Sequence, residues 1–258
     1  MKIALVYKSE KVESSLIKTV KEKISASKFE LVESNPDVVI FIGGDGTFLK
    51  SVHQYVDSLD HILFIGLCTG HLGFFFDYHE DEIDSLLSDL AHKKYVVDEF
   101  SLLEAKAEGK VFNAVNEIRI ESPFHSLISE VYINDEYLET FRGNGLVVCS
   151  SIGSTAYNKS LSGAVVKPNI ETLQLSEIAP INNAIYSSLH SSIVLDKDSK
   201  ITLKAKTDSI LIGYDQFVSD SNPALSLDLY LSTKKVSLAH KADYSYTKLL
   251  REKFIGKK

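Results

Sequence analysis

Cysteine is scarce in this chain. Only Cys68 and Cys149 occur among 258 residues, without a CxxC spacing, which excludes a disulfide framework and a cysteine zinc site and fits a reducing cytoplasm. An excess of basic charge is also missing, since 28 Lys and Arg stand against 35 Asp and Glu, a net charge of −7. Nucleic acid and anionic membrane surfaces need clustered Lys and Arg and are therefore not expected partners. Small anions are not excluded, because a pocket of backbone N–H groups binds phosphate whatever the global charge. Long apolar runs are absent. The stretches at Val38 to Phe41, Ile62 to Leu67 and Leu72 to Phe76 fall far short of the roughly 18 residues of a membrane helix. The opening run Met1 to Tyr7 is too short for a signal peptide. Repeats of roughly 20–50 residues, low-complexity tracts and Pro/Gly-rich linkers are missing as well. What is there, 44% hydrophobic and 24% charged residues, is the composition of a globular protein with one large domain or two modest ones.

The pattern along the chain changes once. Up to residue 98, short apolar runs alternate with longer periodic segments, as βαβ units do. Lys2 to Tyr7 reads as a strand, Leu16, Val20 and Ile24 mark one face of a helix, and Phe29 to Val32 adds a short strand. Val38 to Phe41 and Ile62 to Gly66 read as strands buried on both faces of a parallel sheet, with an acidic helix near Glu80 to Ala91. From residue 99 to 239 the period is two and the chain reads as antiparallel and β-rich, with a hairpin around Asn134-Asp135-Glu136 and strands at Ile201 to Ala205 and Leu225 to Leu229. Tyr244 to Phe254 regains helical character, so residues 240–258 are expected to pack back on the first domain.

Gly43-Gly44-Asp45-Gly46-Thr47 follows a buried strand, where ligands bind at the carboxyl edge of an α/β sheet. A helix is expected to begin near Thr47, with its hydroxyl as cap. The glycines let backbone N–H groups approach a phosphate closely. Asp45 is the odd member, because a carboxylate beside phosphate is repelled unless it holds a divalent ion or accepts a proton from an attacking hydroxyl. The plain alternative is a tight turn with an acid at a helix start. The loop is neither a Walker sequence nor GxGxxG. A second glycine-punctuated loop, Gly66 to Phe76, opens on the same edge; there Phe74 stacks on a base, or the phenylalanines fill a domain interface.

In the second half, Asn116-Glu117 stands at the mouth of a strand, where an amide and a carboxylate suit ribose hydroxyls and an adenine edge. Phe141-Arg142-Gly143-Asn144-Gly145 precedes an apolar strand. Gly153-Ser154-Thr155-Ala156-Tyr157-Asn158-Lys159-Ser160 concentrates hydroxyls, an aromatic and a lysine that suit a polar planar ligand. A serine nucleophile lacks the GxSxG context. The eight histidines are scattered and read as surface or core filler.

In this order and spacing, the segments resemble the NAD kinase family in its compact Gram-positive form, over nearly the whole chain, including Glu171 to Asn183. The Gly-Gly-Asp-Gly-Thr loop alone is shared with lipid kinases; the Asn-Glu pair followed by Gly-Ser-Thr-Ala-Tyr is much more specific. The resemblance implies phosphorylation of the 2′-hydroxyl of the adenosine ribose of NAD by ATP with Mg²⁺, or by polyphosphate, to give NADP. It implies Asp45 as proton acceptor, Gly43, Gly44 and Gly46 as the phosphate loop with Lys50 near it, and Asn116 and Glu117 as an NAD-binding pair. Thr155, Ala156, Tyr157 and Ser160 match the adenine and nicotinamide pocket, which a neighbouring subunit completes, and Arg142, Asn144, Ala179 and Gln216 match further contact positions. The implied fold is an α/β domain followed by a β-sandwich-like domain with the C-terminal helix crossing back, and the implied assembly is a homodimer or homotetramer in the cytoplasm.

The chain departs from the family pattern at Asn144, where Asp is usual, at Cys68 for Asn or His, at Ser151 for Pro and at Lys167 for His. None of these touches Asp45 or the Asn116-Glu117 pair. Two other readings compete: a lipid or diacylglycerol kinase sharing the loop, and a dinucleotide-binding sensor without turnover. The first lacks a basic amphipathic surface, and the second gains nothing from a carboxylate facing phosphate.

Overall fold

The computed structural model describes residues 1–10, 12–70 and 73–256. They form two compact units, Met1–Glu99 with Val236–Lys258, and Phe100–Lys235.

The first unit is α/β. Strands β1 (Lys2–Tyr7), β2 (Glu30–Leu31), β3 (Val38–Gly43) and β4 (Leu63–Cys68) lie parallel in the order β2-β1-β3-β4, and β5 (Tyr78–His79) adds parallel to β4. Every residue of β3 is buried, as its unbroken apolar run requires of a central strand. Helices α1 (Ser14–Ser25), α2 (Asp45–Gln54) and α3 (Ile83–His92) connect the strands. Ile17, Val20 and Ile24 of α1 enter the core, while Leu16 packs at its rim, one position off the expected stripe. Helix α2 begins at Asp45, two residues before the expected start, because Gly44 in extended conformation is the cap. Thr47 lies inside the first turn, its N–H on the Gly44 carbonyl at 2.7 Å.

The second unit is all-β in two sheets. Its strands are β6 (Tyr95–Ala107), β7 (Lys110–Ala114), β8 (Glu117–Glu121), β9 (Leu127–Ile133), β10 (Glu136–Gly143), β11 (Gly145–Ser150), β12 (Thr172–Ile178), β13 (Ile193–Asp196), β14 (Ile201–Lys206), β15 (Ile210–Tyr214), β16 (Phe217–Ser221) and β17 (Ala224–Lys241). One sheet runs β10-β9-β14-β17-β6-β7 and the other, antiparallel throughout, β13-β12-β11-β8-β15-β16. Alternate residues of both sheets, among them Phe141, Val131, Leu203 and Leu227 from one and Ile118, Ile120, Val148 and Leu173 from the other, make a single core. The β9–β10 hairpin turns on Asn134 and Asp135, both at positive φ, the pairing a two-residue turn of matching twist demands. A short helix, α4 (Tyr157–Ser160), follows β11.

Strands β6 and β17 each contribute residues to both units. In the first unit, Ser237 and Leu238 of β17 pair parallel with Leu63 and Phe64 of β4. Helix α5 (Tyr246–Leu250), shorter than the sequence pattern suggests, runs directly into a π-helical turn, Arg251–Ile255. Among the described residues no helix is long and apolar enough to cross a membrane.

Candidate active site

The Gly-Gly-Asp-Gly-Thr loop closes β3 and opens α2. Gly43 is at φ 143°, a region that L side chains avoid, and a β-carbon there would also meet the Thr47 hydroxyl at 2.7 Å. Gly44 is exposed, with open space where its β-carbon would stand, and Gly46 lies in the first turn of α2. Asp45 occupies the first position of the helix, where the dipole favours an acid. Its Oδ1 accepts the Phe74 N–H at 2.9 Å and the Phe75 N–H at 3.4 Å. Burial raises its pKa, while those two N–H groups and the Lys253 ammonium pull against that rise. Beneath the loop, Phe41 packs on Phe48 and Phe76, and Phe48 on Phe75, with ring centroids 4.3–5.0 Å apart. Phe75 and Phe76 are therefore core residues, and the half-buried Phe74 lies against Phe254 at 5.4 Å. Lys50 directs its ammonium to the Tyr7 carbonyl, 3.4 Å away.

In the second unit a separate constellation gathers at one end of β8 and β11. The 3-10 turn Ile152–Thr155 crosses directly over Asn116, since a β-carbon on Gly153 would lie 1.9 Å from the Asn116 carbonyl oxygen. Ser150 ties the same strand mouth down through its hydroxyl, which donates to the Val115 carbonyl at 2.6 Å. Glu117 is 6% exposed, and its Oε2 has no hydrogen-bond partner among the described residues. Burial, first, and the nearby Asp215 carboxylate push its pKa up to about 7, against Arg119 and the backbone N–H of Tyr157. A buried acceptor left open in this way is available to a ligand hydroxyl. Thr155, Ala156 and Tyr157 are half-buried beside it, Ser160 is exposed at the end of α4, and Gln216 is exposed on the β15–β16 turn.

Arg142, Asn144 and Ala179 collect at the other end of β11. The Ile178 carbonyl accepts the Asn144 N–H at 2.9 Å, the Arg142 carbonyl accepts the Ile181 N–H at 2.7 Å, and the Arg142 guanidinium lies 5.0 Å over the Tyr186 ring. Ala179, at φ 46°, is exposed. The strand between the two groups, Gly145–Ser150, spans about 20 Å at roughly 3.3 Å per residue.

Two contributors escaped the sequence reading. Asp215, 8% exposed, accepts the N–H groups of Val115 and Asn116 at 2.8 Å each and so fixes the backbone that carries Asn116 and Glu117. Its one local signal is its place beside Gln216, a position that the family resemblance marks as a contact. Lys253, which acts on Asp45, comes from the opposite end of the chain.

A parallel-sheet unit with a glycine-rich loop around a half-buried carboxylate, and a two-sheet β unit whose buried Glu117 keeps an open acceptor, suit an enzyme that handles phosphate. The model of the ATP-NAD kinase N-terminal domain matches residues 2–95, and that of the ATP-NAD kinase C-terminal domain matches residues 115–240. An NAD kinase of Lactobacillus gasseri is 37% identical over 263 residues, covering 99% of this chain and 98% of the relative. One of Streptococcus pneumoniae is 39% identical over 243 residues, covering 92% and 89%. Yeast NADH kinase, solved in complex with NADH, shares the fold at a TM-score of 0.87 and 14% identity over 98% of this chain and 86% of that one. An Archaeoglobus fulgidus NAD kinase, solved with ATP, does so at 0.76 and 22% over 93% and 94%. The chain belongs to the ATP-NAD kinase family. That membership does not favour the lipid-kinase alternative.

Proposed function

We infer that the chain phosphorylates the 2′-hydroxyl of the adenosine ribose of NAD, with MgATP as co-substrate, to give NADP. Support comes from its family and from relatives named NAD kinase at 37–39% identity. The observation that carries the reading is the Asp45 carboxylate, partly withdrawn from water at the start of α2 and held in place by two backbone N–H groups. Withdrawal from water makes it the stronger base. As the ribose oxygen bonds to the γ-phosphorus, its proton passes to Asp45, the bond from that phosphorus to the bridging oxygen breaks, and ADP leaves with the electron pair. The divalent ion enters as part of the MgATP substrate and neutralises phosphate charge. Gly43, Gly44 and Gly46 let the phosphates approach the backbone, with Lys50 as a further cation of the loop helix.

Asn116 and Glu117 are assigned to NAD, together with Thr155, Ala156, Tyr157, Ser160 and Gln216 beside them; Phe74 is assigned to a base. Arg142, Asn144 and Ala179 stand at the far end of β11, so in this reading they serve the ligand of a second copy in a homodimer or homotetramer. Polyphosphate is an alternative donor, and two buried cysteines that form no disulfide suit a cytoplasmic location.

The test is NADP formation from NAD and MgATP by the wild type and by Asp45→Asn, with polyphosphate as second donor. Turnover that collapses in the variant while NAD still binds supports the reading. A folded wild type that binds NAD or NADP yet turns over with no donor overturns it and leaves a dinucleotide sensor.

A further inference from the structure

Strand β8 divides its side chains between two faces. Ile118 and Ile120 enter the core of the second unit, while Glu117, Arg119 and Glu121 alternate onto the outer face. In register, Arg119 lies between Val147 of β11 and Gly213 of β15. Gly213 is not at positive φ, so its backbone does not call for glycine. Space does, because a β-carbon there would stand 2.5 Å from Cζ of Arg119, 2.7 Å from Nε and 2.8 Å from Nη1. The guanidinium thus lies over bare backbone, and its donors are spread over three neighbours. Nε donates to Glu121 Oε2 at 2.7 Å, Nη1 donates to the Asp215 carbonyl at 3.4 Å, and Nη1 also stands 3.8 Å from Glu117 Oε1. The other oxygen of Glu117, Oε2, is buried and has no hydrogen-bond partner among the described residues. One carboxylate therefore keeps one oxygen beside a cation and the other open.

We propose that Arg119 is a positioning residue for NAD binding, its guanidinium holding Oε1 of Glu117 so that Oε2 is presented to a hydroxyl of the ligand. This rests on the assignment of Glu117 to NAD in the reading above. The groups that face Glu117 are Arg119 and Glu121 on its own strand, Asp215 from the β15–β16 turn, the Cys149 thiol opposite it on β11, and Tyr157 of α4. Of these, only the guanidinium is positive. Burial and the Asp215 carboxylate favour the neutral form of Glu117, and Arg119 is the first of the groups that oppose them. A hydroxyl that donates to an ionised carboxylate makes a charge-assisted bond, roughly twice as strong as one between neutral groups. Arg119 therefore serves the ligand through Glu117 in two ways, by fixing the carboxylate and by keeping it charged.

The experiment measures NAD affinity by calorimetric titration across a pH series, and steady-state NADP formation. It compares the wild type, Arg119→Met, Arg119→Lys, Gly213→Ala and the double variant of Arg119→Met with Gly213→Ala. Arg119→Met is expected to bind NAD about three- to tenfold more weakly at about pH 7, with the difference closing toward about pH 9, where Glu117 is ionised in both. KM for NAD rises in parallel, while kcat and KM for ATP hold. Arg119→Lys keeps the charge and loses the planar fork, so it is expected to keep the pH profile at an intermediate affinity. Gly213→Ala pushes the guanidinium aside without removing it and is expected to reproduce the loss. Because both changes act through one group, the double variant binds no more weakly than Arg119→Met alone. Wild-type affinity in Arg119→Met, a loss uniform in pH, or losses that add in the double variant would overturn the proposal and leave Arg119 a structural residue. Should Arg119→Met fail to fold, Gly213→Ala and Arg119→Lys give the same affinity and pH readouts. A wild type that binds NAD without turnover sinks the kinase reading, while the affinities still decide the role of Arg119. A wild type that binds no NAD overturns both.

Discussion

Gly73 lies so close to Asp45 that a β-carbon on it would sit 2.1 Å from the Asp45 Oδ1. The absence of that carbon is what lets the backbone after β4 turn its N–H groups onto the carboxylate. Gly73→Ala therefore moves the carboxylate off Phe74 and Phe75. The expected result is a kcat lower by roughly tenfold to hundredfold, the scale of a small misplacement of a reacting group. KM for NAD and the unfolding midpoint stay near wild type, since the displaced atoms belong to the free end of a short side chain. Steady-state kinetics with urea unfolding checks it.

Gly153 makes the opposite kind of contact. Its neighbours are the backbone atoms of Asn116, at 1.9–2.6 Å from the position a β-carbon would take, and backbone does not step aside. Gly153→Ala is expected to destabilise the second unit by about 1–3 kcal/mol and to weaken NAD binding at the same time. Urea unfolding and calorimetric titration with NAD read the two effects; a wild-type value in both would refute the packing argument.

Glu117 makes stability depend on pH in a defined sense. Its pKa in the fold, about 7, lies above the ordinary 4.5, so the folded state binds more protons and stability falls as pH rises through that window, then levels off. The whole interval corresponds to roughly 3 kcal/mol. Glu117→Gln, neutral at every pH, is expected to unfold later than wild type at pH above the window and to lose that advantage below it. A difference that stays constant across the series would show that Glu117 does not titrate there.

His240, read from sequence as one more scattered histidine, is a keystone of the first unit. It is 2% exposed, its Nδ1 lies 2.6 Å from Asp77 Oδ2 and its Nε2 3.7 Å from Asp98, and its ring stacks on Tyr244 at 3.8 Å. His240→Ala removes the stack and strips Asp77 of its partner, for an expected loss of about 2–3 kcal/mol. His240→Gln, which can still donate to Asp77, recovers part of it. Thermal and urea unfolding of both variants decide.

What the sequence made legible was local. The four-residue run at Val38 announced a buried parallel strand, and the glycines after it announced a loop; both need only neighbours in the chain. The Asn134-Asp135 turn was legible for the same reason. Helix α2 starts earlier than expected because an extended glycine took the cap that a hydroxyl was assigned. Asp215 was missed because its partners, Val115 and Asn116, are 100 and 99 residues away, and no periodicity encodes such a pairing. His240 was missed for the same cause, as it meets Asp77 only after the chain has returned to the first sheet.

That return has a consequence for synthesis on the ribosome. The edge of β4 at Leu63 and Phe64 is completed by Ser237 and Leu238, Asp77 by His240, and Phe74 by Phe254. A nascent chain that has emerged only through the first unit's opening stretch carries an unpaired strand edge, the feature that invites misassociation between chains. It waits for nearly the entire polypeptide before that edge is covered. A fragment ending near residue 98 should accordingly be poorly soluble, and adding back residues 236–258 as a separate peptide should rescue it.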